Sequence, residues 1–390
     1  MTLAFSPPAR PVPPPPAIYA PAPREVSFGQ IRGRAPAGTT TVNVRVDGVY
    51  RGHAKLSGRF YSTRLSLPSR DVTVRVTAVN ADGDRSSAHV GPVYGLPTSA
   101  RPHATKGSLD RTLQRRIRAL VDAYPGISAV YVQDLLTGKG AAWNARARFM
   151  GASTLKLGIA IEVLRVLGGK PSPESYVGHL FQRMLVYSDN AAANDLEVWL
   201  GGSTYAGSAD VTETLHELGL ADSYINGGYL IGTALNREIP LTVNQQPFYY
   251  TTGKYTSAWD LARIHKLLHR GAAGQGTLVQ LPGRFTASDA RFMLWTLAHV
   301  QDPGKLDRYL SKPGVSVLHK AGWISTVRHD SGLIYSPDGA FVAVVMTYGA
   351  GGVGESSDIL AGKVALSAFK RFTRAATATV ADAQGRLFFL

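Results

Sequence analysis

Three short segments carry residue types able to make and break an acyl bond: Ser153-Thr154-Leu155-Lys156, Ser188-Asp189-Asn190 and Lys320-Ala321-Gly322. A serine at a helix start with a lysine three residues on sets both side chains on one face, so the amine can take the hydroxyl proton as the oxygen attacks. The helix N-terminus adds partial positive charge that favours the negative charge developing there. Ser188-Asp189-Asn190 supplies a second hydroxyl and an amide within a run of helices. Lys320 ends the strand-like run 315–319, and Gly322 lets substrate backbone approach. Taken singly, each segment has an ordinary reading: Ser153 and Ser188-Asp189-Asn190 as helix caps, Lys320 as a surface lysine before a turn. A pattern fixing only Ser and Lys arises by chance about once in a chain this long. The weight rests on all three in this order.

Hydrophobic periodicity supplies the elements that must position these groups. Ser108 reads as the cap of a helix whose apolar positions are Leu109, Leu113, Ile117, Leu120 and Val121. Strands follow over 127–135 and, past Thr137-Gly138, toward Trp143. Helical patterns cover 155–167, 176–187, 191–200, 211–218 and 258–268. The chain then returns to strands at 316–320, 327–335 and 341–348, the last two joined by the turn signal Ser336-Pro337-Asp338-Gly339. An amphipathic helix over 357–372 closes the pattern. The expected fold class is α+β: an antiparallel sheet flanked by helices plus an all-helical lobe, meeting at a cleft, preceded by a small all-β sandwich.

At 390 residues the chain is long enough for two domains. The expected boundaries are a proline-rich leader over 1–25, a β-sandwich over 26–98, a linker over 99–107 and the main domain over 108–390. Proline dominates 7–23, which reads as a stiff polyproline II spacer. Alternation at Val42, Val44, Val46 and at Val72, Val74, Val76, Ala78, broken by Asp47-Gly48 and Asn80-Ala81-Asp82-Gly83, implies short strands. Their length and pattern resemble an immunoglobulin-type module, read as a spacer or wall-binding unit.

A net charge of +15 draws the surface toward anionic partners such as acidic cell-wall polymers. The basic residues are scattered with no run of five, which favours a solvated basic surface over a nucleic-acid groove. No nucleic-acid partner is expected. Cysteine is absent, so thiolate chemistry is excluded. No stretch is long and apolar enough for a transmembrane segment, and residues 1–6 are too short for a signal-peptide core. The ten histidines form no His-Glu-x-x-His pattern, so neither metal nor other cofactor is expected, and His319 and His329 read as packing or surface residues. Gly349, Gly351, Gly352 and Gly354 lack the context of a phosphate loop and read as a site-edge loop.

From about residue 108 to 373 the sequence resembles the class A β-lactamase and penicillin-binding superfamily of serine hydrolases. Phe149-Met150-Gly151-Ala152-Ser153-Thr154-Leu155-Lys156 is similar to its nucleophile segment. Ser188-Asp189-Asn190-Ala191-Ala192-Ala193-Asn194 is similar to its second motif. Thr256-Ser257-Ala258-Trp259-Asp260-Leu261-Ala262 is similar to the helix start after its Ω-loop. The resemblance implies that Ser153 is the acylated nucleophile, Lys156 its proton acceptor and Ser188 the relay to the leaving nitrogen. It implies that Asn190 binds the substrate's side-chain amide, that Lys320 attracts the substrate carboxylate, and that backbone donors at Ser153 and Trp323 form the oxyanion hole. Gly322 and Trp323 complete the expected substrate-binding set. An extracytoplasmic location is implied as well.

The pattern departs from the family in three places. Aligning Leu235-Asn236 with the family's Leu-Asn pair puts Gly232 where the water-activating glutamate belongs. Glu238, the nearest carboxylate and the candidate deacylation base, lies on the other side of that pair. Ala321 replaces a threonine that grips the substrate carboxylate, leaving Ser325, Thr326 or Arg328 as candidates to compensate. Ser188 follows Ser153 by only 35 residues, which suggests a trimmed helical lobe and a wider cleft with room for a peptide. The expected function is acylation of Ser153 by β-lactams or acyl-D-alanine-type amides with slow deacylation. A cell-wall DD-peptidase-type enzyme and a non-catalytic wall-binding protein are the alternatives.

Overall fold

The computed structural model describes residues 13–230, 232–233, 253–281 and 283–384, those from 374 as backbone only. The chain divides into two units, Met1–Leu96 and Pro97–Leu390, each with its own hydrophobic core.

The first unit is all β: β1 (Ala17–Ala20), β2 (Glu25–Ser27), β3 (Gln30–Arg34), β4 (Thr39–Val46), β5 (Val49–Ser57), β6 (Phe60–Arg64), β7 (Asp71–Asn80) and β8 (Arg85–Gly95). They hydrogen-bond in the order β1-β3-β6-β5-β4-β7-β8-β2. Strand β5 pairs with β4 through Val49–Ala54 and with β6 through Lys55–Ser57, so the sheet curls over on itself there. The alternating valines do what their period requires: Val42, Val44, Val46, Val72, Val74 and Val76 all point into one core. Asp47 (φ 48°) and Gly48 (φ 79°) take the paired left-handed conformation of a tight hairpin turn. The leader expected over 1–25 ends earlier. Residues 17–20 contain no proline and keep their N–H donors, and β1 pairs with β3 while the Tyr61 hydroxyl donates to Ala17 O at 2.9 Å.

The second unit is built on the sheet β14-β15-β16-β10-β11-β9, antiparallel except for the β11–β9 pair. Its strands are β9 (Ser108–Leu109), β10 (Ile127–Asp134), β11 (Lys139–Trp143), β14 (Ser316–Trp323), β15 (Val327–Ser336) and β16 (Gly339–Tyr348). Helices α1 (Arg111–Asp122) and α8 (Glu355–Gln384) share one core with the sheet, and α6 (Ala258–Gly271) packs on β10, β15 and β16. The helical lobe consists of α2 (Lys156–Leu167), α3 (Tyr176–Val186), α4 (Asn190–Gly201), α5 (Thr204–Glu217) and α7 (Ala287–Leu297). A short ribbon of β12 (Arg148–Met150) and β13 (Tyr255–Ser257) leads into α2 and α6.

Ser108 is not the cap of α1. It pairs with Lys139 in β11, Leu109 is 62% exposed, and Asp110 caps instead, its Oδ1 accepting from the amides of Thr112 and Leu113 at 3.0 Å. Helix α7 escaped the periodicity reading, although Thr286 and Asp289 form a reciprocal capping box at its start. Among the described residues no helix is long and apolar enough to cross a membrane.

Candidate active site

Ser153 lies in a short 3-10 turn, Ala152–Leu155, that runs directly into α2. Its hydroxyl caps nothing, so the ordinary reading of this serine as a helix cap fails. Ala152 before it is held at φ 44°, a left-handed conformation that costs a non-glycine residue on the order of 1 kcal/mol and marks a position fixed by its surroundings. The end of β14 closes on this turn from the other side. A Cβ placed on Gly322 would lie 2.7 Å from the amide nitrogens of both Ser153 and Thr154, so only glycine permits the approach. The neighbouring Trp323 turns its side chain outward, 55% exposed, with the Arg328 guanidinium 5.5 Å from its ring centroid.

Lys156 and Lys320 are both fully buried, so Lys320 is no surface residue. They meet at Ser188. Lys156 Nζ donates to the Ser188 carbonyl (2.5 Å) and to Asn190 Oδ1 (2.7 Å), while Lys320 Nζ donates to Ser188 Oγ (2.8 Å) and to Ala321 O (2.7 Å). Ser188 reaches both because its backbone is left-handed, φ 59°, between α3 and α4. Within the motif the capping falls to Asp189, whose Oδ1 accepts from Ala192 N at 3.0 Å and whose carboxylate pairs with Arg183. Asn190, its oxygen taken by Lys156, sits exposed at the first position of α4. Among the described residues the Ser153 hydroxyl makes no hydrogen bond to Lys156, an arrangement that in unliganded sites commonly tightens only with substrate.

The electrostatics suit proton transfer. Burial, reinforced by the Lys320 charge, pushes the Lys156 ammonium down to about 6, against the pull of Asp189 and Glu197. Lys320 is lowered by burial to about 8, with Asp302 and Asp330 opposing. A neutral amine therefore sits beside a cationic one near neutral pH.

Of the compensating residues proposed for Ala321, Arg328 is engaged elsewhere: its Nε and Nη2 each lie 2.7 Å from an oxygen of Asp358. Gly232 is exposed at φ 86° in a turn where Thr233 N donates to Leu230 O at 3.1 Å. Leu235, Asn236 and Glu238 lie outside the described residues. His319 and His329 are buried and bonded rather than at the surface. His319 Nδ1 is 2.9 Å from both Asp330 oxygens, and His329 donates from Nε2 to Met150 O at 2.7 Å and accepts from Thr347 N at 3.2 Å. Among the described residues no cluster of three or more metal-ligating side chains forms.

Three residues at the site carried no role in the sequence reading. Asn194, one turn beyond Asn190, accepts from Tyr229 N (2.6 Å) and donates to Thr233 Oγ1 (2.9 Å), tying α4 to the loop before residue 234. Lys254, just before β13, is buried and donates to Gly228 O at 2.5 Å. Glu197 is fully buried on α4. The Asn-x-x-x-Asn-x-x-Glu spacing of Asn190, Asn194 and Glu197 was a legible helix-face signal for two of them. Nothing local marked Lys254.

The family model described as "Beta-lactamase enzyme family" matches residues 112–171 and 167–372. No curated protein matches the sequence. Among solved structures, a beta-lactamase from Sphaerobacter thermophilus DSM 20745 is 20% identical, with a TM-score of 0.51 over 67% of this chain and 97% of its own. PBP-A is 22% identical, with a TM-score of 0.55 over 72% of this chain and 99% of its own. A mutant of PBP-A, as an acyl-enzyme complex with penicillin G, is 20% identical, with a TM-score of 0.54 over 68% and 98%. These likenesses agree with the α+β unit described above. With its second unit matched from α1 through α8, the chain belongs to the beta-lactamase enzyme family.

Proposed function

We propose that the second unit is a serine hydrolase that is acylated on Ser153 by β-lactams or acyl-D-alanine-type amides. The observation that carries this reading is the bridging of Ser188 by two fully buried lysines beside the turn that bears Ser153. Neutral Lys156 takes the Ser153 proton as the oxygen attacks the carbonyl carbon. The amides near Gly322, those of Ser153 and Trp323, receive the oxyanion. As the carbon–nitrogen bond breaks, the proton passes from Lys156 through the Ser188 hydroxyl to the leaving nitrogen, restoring the neutral amine. Lys320, cationic below about pH 8, attracts the substrate carboxylate and holds Ser188 in place. Asn190, exposed at the cleft, binds the substrate's side-chain amide.

Deacylation requires a base for water. With Gly232 at the position the family gives to glutamate, release of the acyl group is slowed by roughly 10²- to 10⁴-fold, the usual effect of losing one acid–base group. The 35-residue interval from Ser153 to Ser188 and the missing glutamate favour a cell-wall DD-peptidase-type substrate as the second reading. The first unit then serves as an immunoglobulin-type spacer or wall-binding module in an extracytoplasmic setting, and the whole chain, with its net charge of +15, is drawn to anionic polymers.

Incubation with a labelled penicillin followed by intact-mass measurement tests the proposal. A persistent adduct on Ser153 supports it, rapid turnover identifies an efficient lactamase, and absence of any adduct identifies a binding protein that has kept only the cleft.

A further inference from the structure

Helix α4 carries Asn190, Asn194 and Glu197 at spacings of four and three, so all three lie on one face. The first two show what that face meets: Asn190 accepts from Lys156, and Asn194 accepts from the amide of Tyr229. The Tyr229 ring stands between two ammonium groups, 4.8 Å from Lys156 Nζ and 4.9 Å from Lys254 Nζ. Glu197, one turn further along, is fully buried, and neither carboxylate oxygen has a hydrogen-bond partner among the described residues. Buried polar atoms nearly always have one, so an unbonded carboxylate beside a reactive lysine demands a reason.

The charges acting on Glu197 are those of Lys254 and Lys156. Other nearby groups are engaged elsewhere. Arg183 of α3 pairs with Asp189, the α5 backbone at Gly207 packs against Glu197 O, and Asp210 and Glu213 of α5 act on one another and on Arg165 of α2. Lys320 acts on Lys156 from β14, and Asp189 acts on it from the start of α4. Burial raises the Glu197 carboxyl and lowers the Lys254 ammonium, so each needs the other to stay ionised.

We propose that Glu197 is a positioning residue: paired through space with the buried Lys254 that flanks the Tyr229 ring, it sets the proton occupancy of Lys156 and thereby the pH at which Ser153 becomes acylated. The proposal rests on the serine-hydrolase reading above and adds the group that governs its base. Lys254 keeps the buried carboxylate ionised, and that negative charge favours a proton on Lys156. Removing either member tips the balance in a known direction. Glu197→Gln removes the negative charge that raises Lys156 and drives the proton off it. Lys254→Met removes the ammonium that keeps Glu197 ionised, so the carboxyl takes up a proton and Lys156 again loses its own.

The experiment is the pH profile of the Ser153 acylation rate with a labelled penicillin, in the full chain and in both variants. The acid limb should move about one pH unit downward in Glu197→Gln and downward too in Lys254→Met, up to a tenfold gain in rate below the parent's limb. A limb that coincides with the parent's or moves upward in either variant overturns the proposal even if the plateau rates fall, because a purely structural role lowers amplitude without shifting the limb. If neither variant folds, carboxyl and ammonium NMR titration of the unaltered chain decides. A glutamate titrating above the ordinary carboxylate range together with a lysine below its own supports the pair, and ordinary titration of every such group overturns it. An unaltered chain with no Ser153 adduct at any pH refutes the hydrolase reading instead, and the same NMR titration then tests the pair separately.

Discussion

Lys156 and Lys320 sit only a serine apart, yet the proposed acylation asks opposite things of them. Lys156 must give up its proton to serve as base, and its lowered value near 6 means acylation rises as pH climbs through that point. Lys320 must keep its proton to attract a carboxylate, and its value near 8 means substrate capture falls as pH passes above it. The second-order rate of labelled-penicillin acylation should therefore be bell-shaped, with limbs near pH 6 and pH 8, and a flat profile from pH 5 to 9 would contradict the assigned roles. Ser153→Ala should abolish the adduct in intact-mass measurement. Because the hydroxyl caps no helix, its loss should cost well under the ~1 kcal/mol of a lost N-cap, and thermal denaturation should be almost unchanged.

Elements bring these residues together by ending where they do. Strand β14 delivers Lys320 and Gly322, and its register on β15 is fastened behind the site by His319 and Asp330. Asp330 also accepts from Leu306 N at 3.1 Å and Ser331 N at 2.9 Å, so one carboxylate holds two segments. Asp330→Asn should cost roughly 3–5 kcal/mol, the usual penalty for breaking a buried pair, read as a lower denaturant midpoint. The pH dependence has a fixed sign. Burial opposes the charge on His319, but Asp330 prevails and its value is raised, so the pair's contribution is complete below the unfolded histidine value near 6.5 and is lost as pH rises through the folded value. The gap in denaturant stability between parent and variant should accordingly be wider at pH 5.5 than at pH 9, and an equal gap would remove the charged histidine from the account.

On the scale of the whole molecule, two units with separate cores should unfold as two transitions in calorimetry. Val74→Ala, at a fully buried position of the first core, should lower one transition by roughly 2 kcal/mol in stability while leaving the other, and Ser153 acylation, unchanged. A shift of both transitions would show that the units unfold together.

Much of the fold was legible because its signals are local. Period-two valines fixed the strands of the first unit, Ser336-Pro337-Asp338-Gly339 fixed the β15–β16 hairpin, and helical periodicity placed α2 to α6 within a few residues, except for an earlier start to α5. The order of three motifs also named the residues that now surround Ser188. Other features depend on contacts between distant segments and leave no local trace. Ser108 looks like a helix cap until β11 pairs with it, and Arg328 looks available until Asp358 occupies it. Lys320 reads as a surface residue until the packed helical lobe removes its water, and the same burial sets the proton affinities of both lysines. The amino-acid sequence determined which groups are present and in what order. Only the tertiary structure decided their solvation, and solvation is what leaves one lysine neutral and its neighbour a cation near neutral pH.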